Sequence, residues 1–158
     1  MSQLRPRVEV GIPLWLWQFL YKRFKPNVIG GDCYVQQGPL MVRFYFLKLE
    51  RFRICLHCFF RSDLERAVHD HPWKFITFPL HSYIEHLPDD TTQEIKPFRF
   101  YYRPAQWQHR VELTHKPTWT FIIMFGKRRE WGFIEKGKGW VQWEKFDADM
   151  NCEDVHQI

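Results

Sequence analysis

The sequence predicts an all-β domain, an antiparallel sandwich or barrel, that is preceded by one N-terminal helix. Aromatic residues make up 18% of the 158 residues, and rings of this kind favour the half-buried pleated surface of strands. Short aromatic or β-branched runs recur along the chain and are separated by turn-forming residues, which is the pattern of an antiparallel fold. The runs are 40–49, 52–60, 67–78, 82–87, 97–103, 109–113, 118–125, 131–135 and 140–146.

The helix is predicted over residues 11–24, GIPLWLWQFLYKRF. Pro13 suits its first turn, and Pro26 followed by Gly30 closes it. The segment is too short to span a bilayer, although a basic aromatic helix can lie on a membrane surface. Because nearly every side of it is apolar, we expect it to pack on its own barrel or on a second subunit.

One domain in three parts is predicted, a size that suits a single core. Residues 1–30 form a helical extension packed on the barrel, 31–147 form the barrel, and 148–158 form a polar C-terminal tail. The strand over 118–125, TWTFIIMF, is apolar on both faces and therefore needs cover on both. The helix or the second subunit of a homodimer would supply that cover.

Charge and cysteine usage restrict the partners and the compartment. The net charge of +5 permits an anionic ligand but does not require one, and we do not expect a nucleic acid or a membrane as partner. The Cys55–Cys58 pair has no second CxxC to complete a zinc knuckle, and the four cysteines form no dense disulfide pattern. With no secretory signal visible, reduced thiols in a cytoplasmic protein are predicted.

Three histidines form the candidate metal site. His69 and His71 are two residues apart in VHDHPW, so a strand would place both imidazoles on one face and Asp70 on the other. His109 begins another strand directly after the turn at 104–108. Histidines at a barrel rim that bind only the backbone are the alternative. Three neutral imidazoles would leave coordination positions open, as in a reactive metal site, and the spacing favours that interpretation.

These motifs resemble those of the RmlC-like cupin superfamily. The first cupin motif is HxH followed by a Glu on the next strand and then a Gly, and His69-Asp70-His71 matches its HxH. The second motif is PxGxxH, and PAQWQH at 104–109 matches it with Gln106 in place of the Gly. The motif HDHPW, followed later by RREWGF and GWVQW, resembles the motifs of a group of small bacterial and phage cupins. The resemblance implies a jelly-roll barrel around one divalent metal ion.

The chain departs from the first cupin motif after the second histidine. The family Glu would fall near Lys74 or Phe75 and the Gly near His81, and neither is present. The usual set of three histidines and one glutamate would therefore need Glu85, or another shifted residue, as its fourth ligand. Some cupins, such as the thiol dioxygenases, use three histidines alone with iron. The resemblance thus implies iron first, with zinc, manganese or nickel as alternatives.

A second group of residues is predicted to surround a substrate. Residues alternating with His71 on its strand, Phe75 and Thr77 among them, would face inward. The loop at 126–131, GKRREW, is interpreted as a solvated hairpin tip, although its arginines could bind a carboxylate or phosphate. The predicted substrate-binding residues are Trp73, Trp107, Arg66, Tyr102 and Lys74, and Lys74 would point to solvent unless the ligand is anionic.

The leading functional hypothesis is a metal-dependent enzyme that acts on a small molecule, with non-haem iron and oxygen chemistry implied by the resemblance to dioxygenase cupins. Capture of a small anionic ligand or nucleotide without catalysis is the main alternative. A metal-dependent isomerase or epimerase is another, and a metal-free relative is also open, since cupin-class sugar epimerases use His and Tyr as acid and base. The sequence identifies no proton-transfer residue. The third hypothesis is a nucleic-acid or partner-protein surface built from the GKRRE loop and the N-terminal aromatic helix.

Overall fold

The structure is a computed structural model that describes residues 10–30, 39–63, 68–135 and 137–149. Residues 147–149 are described by their backbone alone. The elements within these residues are, in chain order, α1 (Leu14–Phe24), β1 (Asn27–Ile29), β2 (Met41–Lys48), β3 (Phe52–Phe59), β4 (Phe75–Pro79), β5 (Tyr83–His86), β6 (Thr92–Ile95), β7 (Tyr101–Arg103), β8 (Arg110–Leu113), β9 (Thr118–Phe125), β10 (Gly132–Glu135), β11 (Gly139–Gln142) and α2 (Trp143–Asp149).

The strands form two sheets and a separate hairpin. The larger sheet has the order β1-β2-β3-β9-β4-β7, the smaller has the order β6-β5-β8, and β10 pairs with β11. The pairings are antiparallel. Side chains from both sheets and from the hairpin line one central cavity. The all-β antiparallel class with an N-terminal helix, predicted from the alternating runs, is confirmed.

Helix α1 packs on the larger sheet through one face. Leu20 is buried in a cluster with apolar side chains of β2, β3 and β9. The Trp17 ring meets Phe44 edge-on at a centroid distance of 5.4 Å and Trp119 at 6.1 Å. Lys25, in the left-handed region, ends the helix by donating its N–H to the carbonyl of Tyr21. Of the helices that the structure describes, none is long and apolar enough to cross a membrane.

The barrel begins earlier than the sequence boundary at residue 31. Val28 in β1 pairs with Val42 in β2, so the chain enters the larger sheet within the segment that we assigned to the helical extension. The predicted strand over 67–78 is also interrupted: His69 forms two isolated bridges, with His109 and with Phe133, and β4 starts at Phe75. Pro72 lies in the gap, and a residue without an N–H weakens continuous strand pairing there.

The C-terminal run at 140–146 is half strand and half helix. Strand β11 ends at Gln142 and α2 begins at Trp143. Trp143 and Phe146 are three residues apart, which places both rings on one side of a helix. They stack on Trp131 at 5.8 Å and on Phe133 at 3.8 Å, respectively. Ring packing against β10 therefore explains a helix where the aromatic pattern predicted a strand.

Candidate metal centre

The backbone brings the three histidines of the two motifs together. The N–H of His69 donates to the carbonyl of His109 at 2.9 Å, and the reverse bond is 3.0 Å long. The N–H of His71 donates to the carbonyl of Ala105, in the turn before His109, at 3.0 Å. As a result, one nitrogen from each imidazole lies within 4.8 Å of the others, and all three rings line the central cavity.

The spacing and charge of the imidazoles fit a divalent metal ion. Nε2 of His71 and Nε2 of His109 are 3.0 Å apart. Two nitrogens that each lie ~2.0–2.1 Å from one ion are separated by about 3.0–3.4 Å, so this distance suits a shared ion. Burial first, and then the charges of His69 and His109, hold the pKa of His71 well below its ordinary value. A neutral imidazole is the form that binds metal.

Glu85 contacts the ligand set from behind. Its Oε1 lies 2.9 Å from Nδ1 of His109, while its Oε2 accepts hydrogen bonds from Nη2 of Arg103 at 2.8 Å and Nε1 of Trp107 at 3.2 Å. Burial acts to raise the pKa of Glu85, but the hydrogen bonds and charges of His109 and Arg103 outweigh it and lower the pKa. The carboxylate is therefore ionised and occupied by these contacts.

Glu85, which the sequence left open as a fourth ligand, lies instead against Nδ1 of His109. A carboxylate on Nδ1 fixes the proton there and leaves the lone pair of Nε2 free for a metal ion. Glu85 reaches His109 because β5 pairs with β8, where Glu85 lies opposite Val111. Nothing in the local sequence indicates that pairing.

Asp70 secures the other face of the HxH segment. It is 1% exposed, and its Oδ1 accepts the N–H of Gly132 at 2.8 Å while its Oδ2 accepts the indole N–H of Trp140 at 3.0 Å. Nη1 of Arg129 also donates to Oδ2. Arg129, interpreted from sequence as part of a solvated tip, thus joins the loop before β10 to the segment that carries His69 and His71.

The histidines open onto a cavity of about 660 Å³. Its walls are mainly aromatic and aliphatic, and a few polar side chains are set among them. The aromatic lining residues are Phe59, Trp73, Phe75, Tyr83, Trp131, Phe133, Trp143 and Phe146. The polar ones, apart from the three histidines, are Arg43, His57, Arg61, Ser62, Asp63, Thr77, Thr118 and Thr120. The volume and the lining suit a small, largely apolar molecule.

One of the predicted substrate-binding residues, Trp73, lies in the cavity wall as expected, and a second, Trp107, does not. Trp73 lines the cavity together with Phe75 and Thr77, in agreement with the alternation from His71. Trp107 is outside the lining: its indole N–H binds Glu85, and the guanidinium of Arg103 covers its ring at 4.3 Å. Its contacts support the turn before His109 rather than a substrate.

Two more of the predicted substrate-binding residues, Lys74 and Tyr102, are not among the residues that line the cavity. Lys74 is exposed, and its ammonium lies 5.3 Å from the ring of Phe125. Tyr102 is 56% exposed; its strand neighbour Arg103 is the side chain that turns inward, since alternate residues face opposite ways. The exposure of Lys74 agrees with the solvent-facing orientation favoured from the sequence, whereas the placement of Tyr102 corrects the expectation for that residue. Arg66 lies outside the residues that the structure describes.

The sequence analysis missed a polar pair inside the cavity. Arg43 and His57 are opposite one another across β2 and β3, and Nε of Arg43 donates to Nε2 of His57 at 2.7 Å. Burial first, and then the charge of Arg43, hold the pKa of His57 well below its ordinary value, so its ring is neutral and can accept this bond. The available signal was one polar residue within each apolar run, MVRFYF and ICLHCF.

Comparison with known proteins finds likeness in structure alone. No family model matches the sequence, and no curated protein is a significant match to it. The polyketide cyclase RemF from Streptomyces resistomycificus superposes with a TM-score of 0.54 at 14% identity, over 84% of this chain and 92% of RemF. A cupin domain from Bordetella pertussis Tohama I superposes with a TM-score of 0.42 at 15% identity, over 56% of this chain and 94% of that domain.

The DMSP lyase DddQ from Ruegeria pomeroyi DSS-3 superposes with a TM-score of 0.50 at 11% identity. The match covers 65% of this chain and spans 56% of the DddQ chain, little more than half of its length. At these identities the likeness concerns architecture. Together with the two antiparallel sheets around a central cavity, the likeness to RemF and DddQ shows that this chain has the cupin-like jelly-roll fold.

Proposed function

We propose that this protein is a metal-dependent enzyme acting on a small, largely apolar molecule, with His69, His71 and His109 holding one divalent ion. The observation that carries the proposal is the position of the three imidazoles on the wall of the 660 Å³ cavity. A structural metal site is closed by its protein ligands, whereas three ligands beside a cavity leave room for a substrate.

The residues around the centre have distinct tasks in this proposal. A divalent ion bound there, iron in the first place and zinc, manganese or nickel as alternatives, would supply redox or Lewis-acid chemistry. Glu85 holds His109 in the tautomer that offers Nε2. Trp73 and Phe75 line the cavity beside the histidines and exclude water from a bound molecule. By its resemblance to three-histidine dioxygenases, an oxygenase is the reaction class that we favour.

Tyr83 is a titratable group on the cavity wall. Burial first, and then the charge of Glu85, raise its pKa, while a hydrogen bond with Thr77 lowers it less. The phenol therefore stays protonated near neutral pH, and in the isomerase alternative it would serve as an acid rather than as a base.

Metal analysis of the purified, untagged protein tests the proposal. We expect about one ion per chain, loss of the ion in His109→Ala, and its retention in His115→Ala, which changes an exposed histidine outside the cluster. Iron favours the oxygenase, and zinc or nickel favours Lewis-acid chemistry. A wild-type protein that holds no metal yet still binds a small ligand would overturn the enzyme proposal in favour of capture. Unchanged metal content in His109→Ala would reject the ligand set.

A further inference from the structure

A row of polar side chains crosses the inner face of the larger sheet. Arg43 pairs with His57 across β2 and β3, and His57 pairs with Thr120 across β3 and β9. The hydroxyl of Thr120 lies 2.7 Å from that of Thr77 on β4. All four side chains line the cavity that also contains the histidine triad. The row is thus a polar strip within mainly apolar walls.

Arg43 is held in place by its neighbours. Its Nε donates to His57 at 2.7 Å, and its Nη1 donates to the hydroxyl of Tyr45 at 3.3 Å. A guanidinium has five N–H donors, so Nη2 and part of Nη1 remain available. Arg43 forms no ion pair with any carboxylate of the described residues. Nε and Nη1 thus fix the orientation of the guanidinium, and the Nη2 edge remains available to a ligand in the cavity.

The charges in the cavity lining favour an anion. Asp63 is the acidic residue of the lining, and its Oδ2 is engaged with the backbone N–H of Val111 at 2.7 Å. A cation beside apolar walls is costly unless a counter-charge accompanies it. A bound anion would supply that counter-charge.

We infer that Arg43, oriented by His57, binds the carboxylate of a small and otherwise apolar molecule whose other end lies against the histidine triad. The inference rests on the proposed function for the placement of that other end. One planar guanidinium edge matches one carboxylate through two parallel hydrogen bonds. The aromatic walls match an apolar body, and the polyanionic nucleotides allowed by the net charge fit them poorly.

Calorimetric titration of the metal-loaded and the metal-free protein tests this inference. The probes are benzoate, phenylacetate, hydrocinnamate and hexanoate, each compared with its neutral primary amide. We expect the wild type to bind at least one acid about 10–100-fold more tightly than its amide. Arg43→Gln should abolish that preference and leave amide binding unchanged. Arg99→Gln, the same change at an exposed arginine outside the cavity, should retain it.

Each remaining outcome also decides the matter. Equal binding, or no binding, of every acid and amide by the wild type overturns the inference, and so does a preference that survives Arg43→Gln. If the preference for acid over amide requires metal and is unchanged in Arg43→Gln, the carboxylate binds the metal instead. This result rejects the Arg43 subsite but supports the metal centre. If the protein retains no metal but still prefers acid over amide, and Arg43→Gln abolishes that preference, the subsite is supported and the proposed metal-dependent enzyme is rejected.

A second variant keeps the test decisive if Arg43→Gln fails to fold. Arg43→Lys preserves the charge but removes both the bond to His57 and the planar edge. We expect it to reduce the acid-over-amide ratio several-fold while the circular dichroism spectrum stays that of the wild type. An unchanged ratio in Arg43→Lys contradicts recognition through the guanidinium.

Discussion

The carboxylate of Glu85 lies 2.9 Å from Nδ1 of His109, on the ring edge opposite the nitrogen that faces the other histidines. The same carboxylate accepts hydrogen bonds from Arg103, which precedes the turn before His109, and from Trp107, which lies in that turn. One buried charge therefore contacts both a candidate ligand and the turn that presents it. This arrangement depends on the pairing of β5 with β8.

Glu85→Gln is expected to weaken metal binding and stability together. Loss of the charge behind a ligating histidine lowers metal affinity by about 10–100-fold. It also leaves the buried Arg103 without a counter-charge, and breaking a buried pair in this way costs about 3–5 kcal/mol of unfolding free energy. Chelator competition measures the first effect and urea unfolding the second. Glu94→Gln, the same change at an exposed site on β6, should alter neither. Unchanged metal affinity in Glu85→Gln would refute the supporting role.

Asp70→Asn is expected to release the loop before β10 from the HxH segment. Asp70 accepts from Arg129, Trp140 and the backbone of Gly132, so the change removes the counter-charge of Arg129 in a buried site. Hydrogen bonds to charged groups contribute about 1.5–3 kcal/mol each, and we expect a loss of about that size in urea unfolding.

Glu130→Gln is the matched control for Asp70→Asn. Glu130 pairs with Lys127 in the same loop, but both side chains are more than half exposed. Exposed pairs contribute about 0–1 kcal/mol. Equal losses in the two variants would show that burial of Asp70 has no energetic consequence.

Phe146→Ala is expected to open the end of the cavity that α2 covers. The ring of Phe146 is 2% exposed and stacks on Phe133. Truncation of a buried phenylalanine costs about 3–5 kcal/mol, which thermal or urea unfolding would detect. Lys145→Ala, at the exposed neighbouring position, should change stability by less than about 0.5 kcal/mol. A Phe146→Ala protein as stable as the control would contradict the packing of α2 on β10.

His57 predicts a loss of stability at mildly acidic pH. The folded protein keeps this buried ring neutral because its pKa lies well below the ordinary value of 6.5, whereas the unfolded chain binds a proton as the pH falls through 6.5. The contribution of His57 to stability is therefore full above that pH and declines below it, by up to about 1.4 kcal/mol per pH unit for one proton.

Urea unfolding at about pH 8 and about pH 5 measures this slope. His57→Gln removes the titrating group and should flatten the decline by the share of one proton. An identical slope in the wild type and in His57→Gln would show that His57 is not held neutral.

Strand alternation carried most of the fold prediction. The bounds of β9 match the apolar run at 118–125, and His69 and His71 share a side with Asp70 opposite. Strand alternation did not identify short polar strands. Strand β6 (Thr92–Ile95) shows one apolar residue, Ile95, and is identified by its pairing with β5 rather than by its own pattern.

The sequence by itself determined that the chain is an antiparallel all-β fold and that three histidines in two motifs are candidate ligands. Both conclusions depend on spacing within a few residues, and local spacing decides which face of a strand a side chain occupies.

The tertiary structure alone decided the surroundings of that site. Glu85 behind His109, Arg129 on Asp70 and Arg43 inside the cavity are contacts between residues far apart in the chain. Whether such groups meet depends on which strands pair and in what register, and each polar group is buried only where its partner is present. No pattern within one segment contains that information.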